Sequence, residues 1–285
     1  MFTQCTASGA GIGLKQAYVA PALAAVESAP WFEVHTENYM LAGGARRAQL
    51  ERVRERFPVS FHGVGASLGG PELPDEQHLR AVGRLVKDFE PAFVSEHAVW
   101  SRANGIYFAD LLPLPRTSQA LERLVAGIDC YQTAIGRPIL IENPANYLRF
   151  ASEMDEPEFL NEIARRSGCG LLLDVCNVYL SARNSGIDAH AYIEALSADR
   201  VQEIHVAGFE EDGNFGERLL IDTHAAPVSE AVWELLDFTL EHLGPRPVLL
   251  ERDGKLPAFE TLMEERRRAG KMLARREAVS ERHIA

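Results

Sequence analysis

Residues 171–177 read Leu171-Leu172-Leu173-Asp174-Val175-Cys176-Asn177, an apolar run that closes on an acidic and a polar side chain. Apolar runs of this length are typical of parallel strands that are buried on both faces. A buried ionisable group at the end of such a strand is costly, so its presence requires a chemical reason. Five other runs carry a histidine or a carboxylate at or next to their end, at residues 59–62, 92–97, 138–143, 201–205 and 248–251.

Strand-like and helix-like segments alternate along the whole chain, and this order predicts an α/β fold with parallel strands. Eight such units in about 250 residues predict a (β/α)8 TIM barrel. The expected strands are 11–14, 31–35, 59–64, 92–98, 138–143, 170–177, 201–208 and 247–253. The expected helices are 15–28, 46–57, 75–89, 118–135, 156–167, 188–196 and 229–243, with a last helix that begins near Pro257.

Two connections are longer than a minimal barrel needs. We expect an ordered loop on the active-site side at 101–116 and a second long loop at 209–227. The basic stretch from Arg267 onward is typical of a solvated helix and a frayed end. No repeat, linker or charge step divides the sequence, so we expect one domain over 1–285, with the barrel at about 11–270 and a tail at 271–285.

The composition excludes several classes of protein. The chain of 285 residues is 46% hydrophobic and 25% charged, which is ordinary for a globular protein. Its formal net charge of −12 disfavours broad binding to nucleic acid or to an anionic membrane. The four cysteines show no CxxC pair, and neither a signal peptide nor an apolar membrane span is evident, so we expect a cytoplasmic protein.

The side chains at the predicted strand ends form a set of imidazole and carboxylate groups. If the strands close into one barrel, these groups meet at its carboxyl-terminal face, where barrel enzymes carry their active sites. One octahedral ion accepts about six donors, so a larger set predicts two or three ions that share bridging carboxylates. A set without thiolate suits Fe, Mn or Zn. The candidates at the strand ends are His62, His97, Glu142, Asp174, His205 and Glu251. The long loop adds Asp222 and His224, two positions apart, and Asn177 adds an amide oxygen, which makes nine candidates.

Each of these groups, taken alone, also has an ordinary structural interpretation as a buried residue that supports the barrel. Together, however, uncompensated carboxylates at one face would repel each other. Few cations lie near the predicted strand ends to neutralise them, and Arg252 and Lys255 are the main candidates. The whole set therefore favours metal ions over a purely structural role.

Further residues near the strand ends are expected to contact substrate or to support a ligand. They are His35, Glu37, Asn38, Cys176, Asn143 and Asp253. Cys176 alternates with Asp174 along the predicted strand, so its thiol would face the metals; the alternative is a small buried apolar residue. The remaining histidines lie in helical or terminal segments and are interpreted as surface residues: His78, His190, His242 and His283.

Several phrases recur in an order that resembles the multinuclear non-haem iron-dependent oxidase family, whose best-known member acts in methanobactin biosynthesis. The match runs from about Gly11 to Gly270. The phrases are Glu37-Asn38-Tyr39-Met40, Phe61-His62-Gly63-Val64-Gly65, Ser95-Glu96-His97, Asp110-Leu111-Leu112-Pro113-Leu114-Pro115, Ile141-Glu142-Asn143-Pro144, Gly168-Cys169-Gly170-Leu171-Leu172-Leu173-Asp174-Val175, Ile204-His205-Val206-Ala207-Gly208, Ile221-Asp222-Thr223-His224 and Glu251-Arg252-Asp253.

The resemblance implies a TIM barrel with two or three iron ions, held by the nine candidates above, and O2-dependent oxidative modification of a cysteine in a ribosomally synthesised precursor peptide. It also implies a separate, small, leader-binding partner protein. One departure stands out: the family commonly reads Asp-Val-Asn-Asn where this chain reads Asp174-Val175-Cys176-Asn177. That change leaves the product of the reaction open.

Two other functions compete with this one. A metal-dependent TIM-barrel hydrolase or isomerase, of the apurinic endonuclease or sugar isomerase type, would use a similar metal face with metal-bound hydroxide in place of O2. The non-enzymatic alternative is a barrel that only binds iron or docks a peptide. An open metal cluster would have no chemical role in such a protein.

Overall fold

The computed structural model describes residues 7–25 and 29–284, with side chains up to residue 279. Eight parallel strands close into a barrel, and two antiparallel hairpins, β5–β6 and β10–β11, lie outside it. In chain order the strands are β1 (Ala10–Gly13), β2 (Phe32–His35), β3 (Val59–His62), β4 (Val94–His97), β5 (Trp100–Ala103), β6 (Ile106–Leu112), β7 (Leu140–Glu142), β8 (Gly170–Asp174), β9 (Val201–Ala207), β10 (Glu210–Asp212), β11 (Gly216–Ile221) and β12 (Val248–Glu251).

Helices cover the outside of the barrel, and the fold is the TIM barrel that the alternating segments predicted. The helices are α1 (Val19–Ala24), α2 (Ala45–Arg54), α3 (Glu76–Phe89), α4 (Ser118–Ile135), α5 (Glu156–Ser167), α6 (Val175–Ser185), α7 (Ala189–Glu194), α8 (Glu230–Leu243) and α9 (Phe259–Ile284). The helix predicted at 15–28 is shorter, and its positions 26–28 lie outside the described residues.

Short polar side chains begin these helices by accepting backbone hydrogen bonds. Asp75 accepts from the backbone N–H of His78 at the start of α3, and Asp155 accepts from that of Glu158 at the start of α5. Each bond satisfies one of the N–H groups that the first helical turn leaves without a partner. The caps therefore fix the residues at which α3 and α5 begin.

The strand predicted at 170–177 is wrong beyond Asp174. Strand β8 ends there, because the Asp174 carboxylate accepts from the backbone N–H of Asn177 at 2.7 Å and starts helix α6. The segments 101–116 and 209–227, expected as loops, contain the two hairpins. The residues expected to form a tail at 271–284 continue helix α9, in which Met272 and Leu273 are buried.

The layer between the strands and the outer helices is apolar, whereas the inside of the barrel carries polar side chains toward its carboxyl-terminal end. Ile12, Ile141 and Leu250 are fully buried in the apolar layer. Glu203 and His205, from strand β9, are fully buried as well. Because charged groups rarely enter a core without a partner, this end of the barrel is where a function is expected. No helix within the described part of the chain is long and apolar enough to cross a membrane.

Helix α4 lies very close to the loop that follows β3. A β-carbon at Gly127 would lie 2.2 Å from the carbonyl oxygen of Leu68, so only glycine fits there. The same loop carries Gly63, whose carbonyl oxygen accepts a hydrogen bond from His97 at 3.1 Å. The close approach at Gly127 therefore holds in place a loop that supports one of the candidate metal ligands.

We expect Gly127→Ala to destabilise the fold. Alanine favours a helix over glycine by about 1 kcal/mol, but overpacking against a backbone oxygen costs up to about 3 kcal/mol, so unfolding becomes easier by about 2 kcal/mol. Gly270→Ala in α9 is the matched control, because its new β-carbon would lie 4.0 Å from its nearest neighbour, that of Ala10. Urea unfolding measures both; a gain in stability at both sites would contradict the close approach.

Candidate metal centre

The register of the barrel brings donors from neighbouring strands to the same level. Strands β4 and β7 place His97 beside Glu142, and β8 and β9 place Asp174 beside His205. Strand β3 ends at His62, one strand away from His97. These side chains therefore meet at the carboxyl-terminal end of the barrel, as the strand ends predicted.

Two histidines converge on one carboxylate. The Nε2 atoms of His62 and His97 lie 3.3 and 3.2 Å from the same oxygen, Oε2, of Glu142. Their Nδ1 atoms face the protein: that of His62 lies 2.8 Å from the Ser95 hydroxyl, and that of His97 lies 3.1 Å from the Gly63 carbonyl oxygen. A histidine ligand is normally oriented by such a bond at its other nitrogen, so both Nε2 atoms are directed at the centre.

A second donor group shares Glu142 with the first. Glu142, Asp174, His205 and Glu251 each offer a ligand atom, and these atoms lie within 4.8 Å of one another. The Nδ1 atom of His205 lies 3.3 Å from Oε2 of Glu251. Glu142 therefore belongs to both groups, and its carboxylate is shared between them.

The loop after β11 adds two more donors. His224 has a left-handed backbone with φ of 47°, which turns its ring toward the centre. Its Nε2 lies 2.7 Å from Oδ1 of Asp222, and its Nδ1 lies 3.6 Å from Oε2 of Glu251. The backbone N–H of Asp222 donates to the hydroxyl of Tyr147 at 3.0 Å, and this bond ties the loop to the connection after β7.

Two asparagines hold Asp174 and leave one amide oxygen available. The side chain of Asn143 accepts from the Asp174 N–H at 2.9 Å and donates to the Asp174 carbonyl oxygen at 3.0 Å. The Asn177 amide nitrogen donates to the Asn143 carbonyl oxygen at 3.1 Å. The Asn177 oxygen has no hydrogen-bond partner among the described residues, so it is available to a metal ion.

The buried polar atoms of this centre lack well-formed hydrogen bonds within the described protein. A polar group left this way costs about 1–3 kcal/mol, so a partner is expected. Imidazole nitrogens and carboxylate oxygens in this arrangement fit divalent metal ions. The atoms are Glu142 Oε2, Asp174 Oδ2, Asn177 Oδ1, His205 Nδ1 and Nε2, Asp222 Oδ1, His224 Nε2 and Glu251 Oε2.

The electrostatics of the protein alone show how strained this cluster is without cations. Burial, together with the charge of Glu142, raises the pKa of Asp174 well above its ordinary value. Burial also raises the pKa of Glu142 to about 7. Burial and the neighbouring His97 ring hold the pKa of His62 well below its ordinary value. Metal ions would stabilise the ionised carboxylates and neutral histidines that act as ligands.

The cations expected near the strand ends do not neutralise the cluster. Arg252 pairs with Glu265 at 2.7 Å, and Lys255 pairs with Glu210. Lys15, which the sequence did not single out, pairs with Asp253 at the rim. These pairings leave the nine donors with their own histidines as the nearest positive groups.

A cavity of about 240 Å³ opens above the centre. Seven of the nine candidates line it, whereas Asp174 and His205 are fully buried beneath. Its rim is formed by residues from several loops, which include Asp110, Leu111, Tyr147 and Thr223. A small side chain or the end of an extended chain fits a space of this size.

Of the supporting residues predicted from the sequence, some lie at or beneath the cavity and one binds backbone groups. His35 and Asp253 line the cavity, with 3.4 Å between His35 Nε2 and Asp253 Oδ2, and Asn143 lies beneath it. Glu37 instead accepts from the backbone N–H groups of Val64 and Gly65.

Two further residues differ from their predictions: Asn38 was expected near the substrate or a ligand, and His78 was expected at the surface. Asn38 is exposed and bonds to Arg46. His78, expected at the surface, is partly buried with its Nε2 3.9 Å from Glu37.

The prediction that Cys176 shares a strand face with Asp174 is wrong. Cys176 lies in the first turn of α6 and is fully buried in the apolar core. Burial and the negative charge of Asp174 raise the pKa of the Cys176 thiol well above its ordinary value. Cys176 belongs to none of the groups of converging donor atoms among the described residues, so the alternative of a small buried apolar residue is favoured.

Two buried carboxylates lie beneath the centre: Glu33, which the sequence suggested for the pocket wall beside His35 and which does not line the cavity, and Glu203, which the sequence did not single out. Oε1 of Glu33 and Oε1 of Glu203 lie 3.4 and 3.6 Å from Nε2 of His205. Ser60 donates to the other oxygen of Glu33 at 2.7 Å. A signal was present in the sequence, because Glu203 precedes His205 by two positions and so shares its face of the strand.

Comparison with protein families identifies the chain. Residues 9–274 match the model of the RiPP precursor modification enzyme MbnB/TglH/ChrH. The chain belongs to this family. A UPF0276 protein of Caulobacter vibrioides is 50% identical over 266 residues, which cover 93% of this chain and 95% of that relative. A UPF0276 protein of Bordetella parapertussis is 48% identical over 268 residues, with 93% of both chains covered. The resemblance seen in the sequence motifs is thereby confirmed.

Solved structures share the fold at low sequence identity. L-ribulose 3-epimerase matches with a TM-score of 0.60 at 14% identity and covers 98% of both chains. Endonuclease IV from Thermus thermophilus matches with a TM-score of 0.59 at 17% identity, over 94% of this chain and 99% of the other. At such identities these similarities establish the TIM-barrel fold alone.

Replacing a carboxylate of the centre by its amide tests the ligand assignment. We expect Glu142→Gln and Glu251→Gln each to weaken metal binding at least about tenfold, because each loses a negative charge and a ligand oxygen. Glu162→Gln is the control, since Glu162 pairs with Arg165 and Arg166 on the outer helix α5. Elemental analysis after dialysis measures the bound metal; unchanged content in both variants would reject the assignment.

Proposed function

We propose that this protein uses two or three iron ions and O2 to oxidise a cysteine residue in a ribosomally synthesised precursor peptide. Membership of a family of precursor modification enzymes supports a peptide substrate. The observation that carries the metal part is the set of buried donors, which converge on one cavity and share Glu142. Among biological metals, iron combines this kind of ligand set with O2 chemistry.

The residues divide into three parts around the cavity. His62, His97 and Glu142 would hold one ion, and Glu142 with Asp174, His205 and Glu251 would hold a second. Asp222, His224 and Asn177 surround the same space and complete the coordination or hold a third ion. When bound, iron supplies the one-electron redox chemistry that O2 requires.

The protein positions and tunes this centre through its own hydrogen bonds. Ser95 and the Gly63 carbonyl fix the rings of His62 and His97, so their metal-facing nitrogens are oriented before any ion binds. The nearly complete burial of Glu142, Asp174 and Glu251 excludes water from below. Substrate therefore reaches the centre only from the cavity side.

The substrate cysteine brings the one donor type that this set lacks. Thiolate is a strong ligand for iron, and no cysteine belongs to the nine donors. We do not assign this role to Cys176, because it lies in the first turn of α6, is buried in the apolar core and does not line the cavity. We also propose that a separate, small, leader-binding partner protein presents the peptide, as the resemblance of the sequence motifs to the peptide-modifying oxidase family implies.

Metal analysis separates this function from the hydrolase or isomerase alternative. We expect protein purified without O2 to hold at least two iron ions per chain and to consume O2 when it is mixed with the precursor peptide encoded beside its gene. Zinc or manganese with hydrolysis and no O2 uptake would support the alternative. A boiled sample and an iron-free sample are the controls.

Mass spectrometry of the peptide tests the role of the thiolate. The precursor peptide should be modified, and its cysteine-to-serine variant should stay unmodified by the same iron-loaded protein. Cys176→Ala is expected to keep its iron and to turn over within about twofold of the original protein, because the buried thiol contacts only the core. Modification of the serine peptide would overturn thiolate ligation, and lost turnover with intact iron would make Cys176 a participant.

A further inference from the structure

Strand β6 presents an exposed edge beside the mouth of the metal cavity. It pairs only with β5, and five of its seven residues, from Ile106 to Asp110, are exposed. Exposed edges are normally protected by charged residues, by proline or by bulges that twist them away. Residues 106–109 read Ile, Tyr, Phe and Ala, so neither charge nor proline protects this stretch, although the register with β5 is irregular beyond the pair Arg102 and Tyr107.

The hairpin geometry shows which backbone groups face this edge. Asn104 and Gly105 form a two-residue turn with positive φ, flanked by the pair Ala103 and Ile106. Hydrogen-bonded and non-bonded pairs alternate, so the next pair, Arg102 and Tyr107, is non-bonded and its N–H and C=O groups point outward.

A contact on the far side of the hairpin agrees with this alternation. The Arg102 N–H points away from β6 and donates to the Ser67 hydroxyl at 3.0 Å. Ser67 covers the outer edge of β5, since the Ser101 N–H donates to the same hydroxyl. The outer edge of β5 is therefore covered, and the outer edge of β6, which contains the backbone groups of Tyr107, is the free edge of the hairpin.

The free edge is continuous with the metal cavity. Asp110 and Leu111, near the end of β6, line the cavity beside Tyr147. Among the described residues, every exposed large apolar side chain except Val279 lies in a loop that follows a barrel strand, and so on the same face as the centre. A rim of this composition is typical of a surface that binds a polypeptide.

We propose that β6 is the docking edge for an extended segment of the peptide substrate, which adds to β6 as a third strand and leads one residue into the metal cavity. The inference rests on the proposed peptide substrate. A free strand edge is complementary to an extended backbone and to no small molecule of the cell. The occupant is apolar and lacks acidic residues, because the chain carries a net charge of −12 and Asp110 and Asp253 line the mouth.

The spacing of the docked segment follows from strand geometry. A strand rises about 3.3 Å per residue, so the four steps from Tyr107 to Leu111 span at most about 13 Å, because the register with β5 is irregular over this stretch. A peptide paired along this edge therefore has its docked segment within about five residues of the residue that enters the cavity. Its side chains alternate between the face toward the barrel and the solvent.

Selection from a peptide library provides the probe. Short random peptides with one fixed cysteine are displayed and selected on the iron-loaded protein without O2. Docking at β6 predicts enrichment of alternating β-branched and aromatic residues on one side of the cysteine, within about five positions. N-methylation along a selected peptide should then weaken binding at least about tenfold at every second position, because those N–H groups pair with β6.

Variants of β6 locate the docking edge. Tyr107→Pro removes an outward N–H and should weaken binding about tenfold, whereas Tyr107→Ala keeps that N–H and should cost about threefold. Phe108→Asp should also weaken binding about tenfold. Val279→Asp is the control, because Val279 and Phe108 are both 38% exposed and Val279 lies near the end of α9.

The outcomes separate this inference from the proposed function. If β6-dependent binding survives replacement of the peptide cysteine by serine and removal of iron, docking stands and thiolate ligation fails. If binding requires the cysteine but ignores the β6 variants, the proposed function stands and docking at β6 is rejected. A uniform N-methylation profile on the unaltered protein, or a library that yields no binder, also rejects the docking edge.

Discussion

Repulsion among carboxylates buried at one end of the barrel is the constraint on which the rest of this structure depends. Glu142, Asp174 and Glu251 are almost completely buried, and their donor atoms lie within 4.8 Å of one another. Arg252 and Lys255 are paired with other glutamates, so nearby lysine and arginine do not relieve this repulsion. The histidines of the cluster are its nearest positive groups when protonated, and multivalent cations, for which the same histidines are matching ligands, would stabilise the cluster further.

The surrounding structure holds this centre through contacts that are local to each donor. The Asn143 side chain brackets the backbone of Asp174, while Ser95 and Gly63 orient the two histidines that face Glu142. The loop that carries Gly63 is held in turn by helix α4 at Gly127. These contacts hold the buried carboxylates in one arrangement before ions bind. The free-energy cost of assembling the site is therefore lower.

The two hairpins change what kind of molecule reaches the centre. A minimal barrel has short loops after its strands, whereas here β5–β6 and β10–β11 rise beside the cavity and contribute Asp110, Leu111 and the loop with Asp222. Most exposed large apolar side chains of the described chain lie on this face. An acidic cavity below an apolar rim suits a polypeptide whose one reactive residue enters while its neighbours stay outside. Such a peptide substrate agrees with the family of precursor modification enzymes to which the chain belongs.

The sequence by itself determined the alternation of strands and helices, and with it the barrel, because hydrophobic periodicity and capping residues act over a few neighbouring positions. It also indicated six of the nine candidate donors, since His62, His97, Glu142, Asp174, His205 and Glu251 each lie at or near the end of an apolar run and parallel strands end on one face. Only the tertiary structure decided that Asp174 starts a helix, which removes Cys176 from the site. It likewise decided that Glu33 and Glu203 meet at His205, and that Glu142 faces both donor groups. These facts depend on the register between strands distant in sequence, and local patterns carry no information about that register.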